Sequence, residues 1–182
     1  MKEISLNILD IAENSVKAGA SLTEIEIRED DSVLEFEIRD NGKGMTAEFL
    51  ARVTDPFTTT RTTRNVGLGL PLLKMEAEMT GGEFEISSKS AEEYEDHGTT
   101  VRAKFLKDSI DFIPLGDIIG TVCTLIQGHD GVDFTFVHKI NGKAVELSTA
   151  QMRQMLGDVP LSSPDVISWI KEYLGEAYAE IQ

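Results

Sequence analysis

Two neighbouring stretches of alternating apolar and charged residues limit the fold of this chain more than any other feature of its sequence. They are LTEIEIRED, residues 22–30, and SVLEFEIRD, residues 32–40, and turn-prone residues lie where they meet. A period of two is typical of strands, and a short polar turn between two such strands joins them in antiparallel fashion. The sequence therefore predicts an antiparallel hairpin early in the chain.

Helical spacing and two further alternating stretches surround this hairpin. Apolar spacing predicts a helix over residues 4–18, a short helix after Thr46 and a longer helix from Leu68. Residues 82–90 and 99–106 alternate as two more strands. We expect an α+β fold, in which a mostly antiparallel sheet and helices on one of its faces form a two-layer sandwich.

The character of the chain changes in its last part. Apolar residues at helical spacing over 115–126 predict a helix, and an alternating stretch over 132–140 leads into an Asn-Gly hairpin turn. Two further helices follow. We therefore divide the chain into a first domain, residues 1–107, and a small mixed α/β module, residues 108–182.

The charge of the chain excludes several classes of partner. Its 182 residues include 17 Lys and Arg but 32 Asp and Glu, for a formal charge of -15. Such a charge repels nucleic acid and anionic membrane surfaces, so we expect neither as a partner.

Asp10 and Glu13 interrupt the apolar stretch that a signal peptide needs, and the single Cys123 permits no internal disulfide. The expected location is cytoplasmic.

Two pairs of glycines are candidates for binding phosphate. Gly42 and Gly44 directly follow a predicted strand, and Gly67 and Gly69 open a predicted helix. Glycines let a backbone approach a ligand with its amides pointing inward. The sequence has no GxxxxGK[ST] motif and no GxGxxG directly after a strand, which argues against P-loop and dinucleotide-binding sites. Each glycine pair alone also fits an ordinary turn or helix start.

The first helix and the last strand of the predicted first domain add polar candidates. Asp10 and Asn14 are four residues apart, so both side chains project from one helix face, where their oxygens can address one magnesium ion and its water. Alone, such a pair also fits a solvated helix face. Thr100 opens the last strand, where its hydroxyl either faces a ligand or packs on the sheet.

Five segments occur in a fixed order: LDIAENSVKAGA, IRDNGKGM, DPFTTTR, NVGLGLPLLK and HGTTV. Together they resemble the motifs of the GHKL ATP-binding fold, which histidine kinases, gyrase-type topoisomerases, mismatch-repair ATPases and a heat-shock chaperone share. The resemblance covers residues 1–106 and implies ATP and Mg²⁺ as cofactors. It assigns nothing to the rest of the chain.

The resemblance implies a role for each matching residue. Asn14 corresponds to the family's magnesium ligand. Asp40 corresponds to the carboxylate that accepts a hydrogen bond from the adenine amino group, the contact that distinguishes ATP from GTP. Gly42 and Gly44 would let the backbone turn beneath the base, and Thr100 would reach adenine through a water.

The same resemblance assigns the phosphates to a lid and a helix start. Gly67 and Gly69 would close the ATP lid and present backbone amides to the phosphates. Lys17 matches a lysine that kinases place near the phosphates. The remaining candidates are two lid arginines, which equally fit a basic loop, and the leucines of the glycine motif: Arg61, Arg64, Leu68 and Leu70.

Two positions favour different activities. In hydrolysing members an acid four residues before the asparagine is the general base, and Asp10 stands there, one methylene shorter than the usual glutamate. Lys17 and the segment DPFTTTR resemble histidine kinases instead. The alternatives are a histidine-kinase-like protein that phosphorylates or conformationally controls a partner protein, a slow ATPase switch, and a non-enzymatic nucleotide sensor. Residues 108–182 would then be a receiver, a docking site or a homodimer interface.

Overall fold

The computed structural model describes residues 2–55 and 68–182, and its elements lie where the sequence predicts them. In chain order they are α1 (Ile4–Lys17), β1 (Leu22–Glu29), β2 (Val33–Asp40), α2 (Ala47–Leu50), α3 (Gly69–Met79), β3 (Glu83–Lys89), β4 (Gly98–Leu106), α4 (Ile118–Gly128), β5 (Asp133–Ile140), β6 (Lys143–Ser148), α5 (Thr149–Leu156) and α6 (Pro164–Ile181). None of the helices in these ranges has the length and apolarity needed to cross a bilayer.

The strands form one six-stranded sheet in the order β3-β4-β2-β1-β5-β6. Four of its pairings are antiparallel, and β1 pairs with β5 in parallel, with Ile25 opposite both Ile38 and Phe136. The predicted α+β fold with a mostly antiparallel sheet is confirmed. The parallel pair follows from the connection between β4 and β5, which crosses the sheet through α4.

The two faces of the sheet differ in polarity. Alternate residues of each central strand are buried against the helices, and the core includes Phe36, Phe105 and Phe136, each at most 1% exposed. The opposite face carries charged side chains in ion pairs, such as Arg102 with Glu35 at 2.9 Å. Because such exposed pairs stabilise by only about 0 to 1 kcal/mol each, the buried face supplies most of the driving force for folding.

Residues 108–182 add two strands to this sheet and three helices around it. Val145, Leu147 and Ile170 belong to the same buried cluster as the isoleucines of α1. The sheet and the core therefore continue across residues 107 and 108, where the sequence suggests a domain boundary. The division of the chain at that point stays a prediction.

Candidate functional site

A cavity of about 730 Å³ opens between α1, the ends of β2 and β4, and the loop that follows β2. Apolar side chains form much of its wall, and polar side chains from three segments point into it. Its described lining comprises Ile11, Asn14, Ser15, Lys17, Ala18, Ile38, Asp40, Lys43, Gly44, Met45, Thr46, Phe49, Val53, Leu70, Ile86, Thr99 and Val101.

Asp40 is held in one orientation by three neutral donors. It ends β2 with the same parity as Phe36 and Ile38, so its side chain faces the helix layer. The Ser15 hydroxyl donates to Oδ2 at 2.6 Å, while the backbone amides of Gly42 and Thr99 donate to Oδ1 at 2.9 and 3.3 Å. An ionised carboxylate accepts about four hydrogen bonds, so Asp40 keeps capacity for a donor from a ligand.

Glycines bring the loop after β2 close to its neighbours. Gly44 has φ +66°, and a Cβ there would overlap the carbonyl oxygen of Lys89. A Cβ at Gly42 would lie 2.9 Å from the Cβ of Ala18. The carbonyl of Gly42 also contacts Nδ1 of His97, which must be the donor because a carbonyl only accepts. These two glycines therefore let the loop pack closely against β3 and the end of α1, and their predicted approach to a ligand stays a prediction.

Helix α1 supplies the polar residues on one side of the cavity. Asn14 and Lys17 both line it, and Lys43 lines it from the loop. The Asn14 side chain makes no hydrogen bond to any described residue, and neither lysine forms an ion pair within residues 2–55 and 68–182. Two unpaired cations thus face one cavity in a chain whose formal charge is -15.

Asp10 lies one helical turn before Asn14 and contacts α3 instead of lining the cavity. A Cβ at Gly69 would overlap its Oδ2 atom, so the carboxyl lies against the first residue of α3. Burial raises the pKa of Asp10 above its ordinary value of 3.8, with Lys17 opposing this shift and Glu13 adding to it. Asp10 and the first turn of α3 are therefore neighbours, and the predicted role of Asp10 as a general base stays a prediction.

The predicted lid and its flanking residues divide into two groups. Leu70 lines the cavity, whereas Leu68 precedes α3 and is largely exposed. Arg61, Arg64 and Gly67 lie outside the described residues, so the structure says nothing about them.

The structure places Thr99 in the cavity in place of the predicted Thr100. Successive side chains of a strand point to opposite faces, and Thr99 shares the parity of the buried Val101, Ala103 and Phe105. Thr100 therefore faces the other side of the sheet, where it lines a second, open hollow. The alternation in the sequence carries this information, because the buried residues of β4 are odd-numbered.

The sequence motifs assign no role to several residues of the site. Ser15 looks like a core position of α1, yet its hydroxyl orients Asp40. Lys43 stands between the two motif glycines, and Met45, Thr46 and Phe49 follow them. Their positions within or next to the motif segments are a usable signal for all of these, including Ser15, which directly follows Asn14. Asn14, Lys17, Asp40, Gly44 and Leu70 are the predicted residues that the cavity brings together.

Comparisons with known proteins show the family of this chain. The family model described as histidine kinase-, DNA gyrase B-, and HSP90-like ATPase matches residues 2–109. The chain is 28% identical over 112 residues to a putative sensor histidine kinase NtrY-like of Rickettsia conorii, covering 61% of this chain and 18% of that protein. It is 31% identical over 96 residues to the sensor protein KdpD of Clostridium acetobutylicum, covering 50% and 11%. The chain thus spans less than a fifth of these relatives.

Solved structures extend the likeness of the fold. The Aquifex aeolicus MutL ATPase domain complexed with ADP superposes with a TM-score of 0.56 at 16% identity, covering 86% of this chain and 68% of that one. The N-terminal domain of a DNA repair protein gives 0.52 at 17% identity, covering 81% and 53%. Coverage of 86% exceeds the 2–109 range, so the likeness of fold continues into the last part of the chain.

Proposed function

Because the chain belongs to the histidine kinase-, DNA gyrase B-, and HSP90-like ATPase family, we propose that its cavity binds magnesium ATP and that the bound nucleotide lets it phosphorylate or conformationally control a partner protein. The observation that carries the nucleotide assignment is Asp40. Its carboxylate is fixed by three donors, forms no ion pair with a described residue and faces a largely apolar cavity. Such a group accepts a hydrogen bond from a donor on the edge of a flat ligand whose faces are apolar.

Adenine supplies the donor that Asp40 requires. Its exocyclic amino group donates, whereas guanine carries an acceptor oxygen at the equivalent position. A carboxylate facing that oxygen would leave two acceptors in contact, which is unfavourable in a partly desolvated site. The apolar walls, including Ile38, Ile86 and Val101, suit the faces of a planar base.

The residues around the cavity mouth fit a triphosphate and a magnesium ion. The amide oxygen of Asn14 is a hard ligand without a hydrogen-bond partner in the described chain, as a magnesium site requires. Lys17 and Lys43 supply positive charge for phosphate oxygens. Magnesium, when bound, would neutralise part of the triphosphate charge. Calorimetry tests this assignment: Asn14→Ala should weaken ATP binding in magnesium while adenosine binding without metal persists, and equal loss of both would contradict it.

The kinase-like function is tested with γ-labelled ATP and the proteins that co-purify with the chain. Label transferred to a protein partner supports phosphorylation. Nucleotide-dependent association without transfer supports conformational control. The similarity to a putative sensor histidine kinase favours the first outcome.

Asp10 favours a second candidate function, a slow ATPase switch. A carboxyl whose pKa is raised by burial holds a proton more readily, which suits a general base. Asp10→Asn should then abolish phosphate release and leave ATP binding nearly intact, while Glu78→Gln, an exposed acid of α3, serves as the matched control. If transfer to a partner persists in Asp10→Asn, the kinase-like function stands and the switch does not.

A further inference from the structure

Among the described residues, no strand pairs with the outer edge of β6, which is therefore open for hydrogen bonding. The two-residue turn at Asn141 and Gly142 closes on the pair Ile140 and Lys143, and hydrogen-bonded and non-bonded pairs then alternate along the hairpin. By this alternation, the backbone groups of Ala144 and Glu146 point away from β5. The Tyr173 hydroxyl confirms the direction, because it donates to the Glu146 carbonyl from outside the sheet at 3.1 Å.

Two aromatic side chains of α6 stand beside this edge. Trp169 and Tyr173 are 49% and 37% exposed, and their rings stack with centroids 5.3 Å apart and planes 9° apart. Large aromatic side chains left half exposed in this way are typical of protein interfaces. The Glu146 carbonyl has a second lone pair, so the Tyr173 contact does not prevent it from accepting another hydrogen bond.

The charge around the aromatic pair has one sign. On a helix of 3.6 residues per turn, the side chains within 100° of arc on either side of Trp169 include no lysine or arginine. They include four acids: Asp165, Glu172, Glu176 and Glu180. All four are exposed, and none forms an ion pair with a described residue. A second copy of the chain would bring two such stripes together, which is electrostatically unfavourable, whereas a cationic partner is attracted.

We propose that the β6 edge and the aromatic and acidic stripe of α6 form a docking surface for an extended, lysine- or arginine-rich segment of a partner protein, which adds to the sheet as a seventh strand. Its backbone pairs with Ala144 and Glu146, and its cationic side chains lie on the Trp169 ring and among the acids of α6. The proposal does not rest on ATP binding, because β1 and β5 separate β6 from the strands of the cavity.

Trp169 is the only tryptophan of the chain, so its fluorescence reports on this surface. We would titrate the whole protein with a blocked peptide of about eight alternating lysine and valine residues, a length typical of strands. Saturable change in the Trp169 emission that weakens with salt is expected. The same peptide with glutamate in place of lysine should bind at least about tenfold more weakly, as expected for matched and mismatched charges. Equal affinity for the two peptides, or no binding of either, overturns the proposal.

Two variants separate strand addition from simple charge attraction. Ala144→Pro removes an outward amide that no strand of the sheet uses, so the fold should persist while peptide affinity falls about tenfold or more. Lys143→Ala, whose backbone faces β5, is the matched control and should bind normally. Unchanged affinity in a folded Ala144→Pro overturns the added strand.

The charge partner is tested independently of the edge. Glu172→Lys combined with Glu176→Lys should reduce peptide affinity and its salt dependence, while Glu92→Lys combined with Glu93→Lys, a matched change in the loop before β4, should do so far less. Equal effects of the two pairs would overturn the role of α6, even where Ala144→Pro fails to fold. Light scattering gives the remaining outcome: a dimer that Ala144→Pro converts to monomer would show that a second copy occupies the edge.

Discussion

Asp40 is the last residue of β2 and Asp133 is the first residue of β5, but the two carboxylates accept hydrogen bonds from different kinds of donor. Asp133 accepts from the Arg153 guanidinium and the Thr149 hydroxyl, each at 2.9 Å, so a cation balances its charge. Asp40 accepts only from neutral donors and faces a cavity. A carboxylate paired with a cation helps to stabilise the fold. A fixed carboxylate with spare acceptor capacity beside a cavity indicates a ligand site.

The same contrast separates the two regions around them. Around the cavity, lysines and an asparagine lack partners in the described chain, and glycines permit close backbone contacts. In the region of β5 and β6, polar side chains pair with one another, and Gly142 has open space where a Cβ would stand. Both regions nevertheless share one core, so we expect them to unfold together.

The shared core leads to the largest expected effect. Phe36→Ala, in β2, and Phe136→Ala, in β5, should each lower the free energy of unfolding by about 3 to 5 kcal/mol, because both rings are fully buried. Chemical denaturation should show one transition that shifts in both variants. Two transitions, each sensitive to only one variant, would mean that the two regions fold separately.

Glycine substitutions should separate the regions by their surroundings. Gly44→Ala should lower stability by about 2 to 3 kcal/mol, since it combines positive φ with a clash against the Lys89 carbonyl. Gly142→Ala has the same sign of φ and no neighbour within 4 Å, so about 1 kcal/mol is expected. Thermal melts of the two variants measure this difference, and equal losses would place the Gly44 loop away from β3.

Loss of the Asp133 carboxylate should have a smaller effect on the free energy of unfolding. Asp133→Asn keeps hydrogen-bonding capacity but removes the charge that faces Arg153, so we expect a loss of about 1 kcal/mol for this partly exposed pair. Nucleotide binding should be unchanged in calorimetry. A fall in ATP affinity comparable to that of Asp40→Asn would erase the distinction between the two aspartates.

Two partly buried acids should respond to pH in opposite directions, with the smallest effects. Burial raises the pKa of Asp10, so its carboxylate destabilises the fold at neutral pH, and Asp10→Asn should raise the melting temperature there. The His138 imidazole, whose Nε2 lies 3.4 Å from Oε2 of Glu29, lowers the pKa of Glu29 below 4.5, so Glu29→Gln should lower the melting temperature at neutral pH. The Asp10 difference should vanish below pH 3.8, and the Glu29 difference should vanish as pH falls through its lowered pKa. Differences that grow in acid would contradict these signs.

The elements of this fold follow from local pattern, and their arrangement does not. Alternation over residues 22–30 and 32–40 identifies two strands and their buried faces, because the period of two is a property of the strand itself. It does not say that β5 lies beside β1, since any strand with a compatible buried face satisfies the same pattern. The parallel pair, and with it the continuous core, requires the tertiary structure.

The residues of the site also divide into those that the sequence indicates and those that require the tertiary structure. Asp40, Asn14 and the glycines belong to short motifs and can be found in the sequence. Ser15 orients Asp40 across 25 positions, a contact that no motif describes. The parity of β4 indicates Thr99, and not the predicted Thr100, as the residue on the cavity side, because adjacent residues of a strand face opposite sides.

The central claim, that Asp40 selects an adenine nucleotide, is tested most directly by calorimetric titration of the protein with ATP and GTP, beside its Asp40→Asn and Asp133→Asn variants. ATP should bind far more tightly than GTP. Asp40→Asn should lose roughly 5- to 150-fold in ATP affinity, the equivalent of about 1 to 3 kcal/mol, while Asp133→Asn should match the unaltered protein. Equal affinity for ATP and GTP, or unchanged ATP affinity in a folded Asp40→Asn variant, would contradict the account.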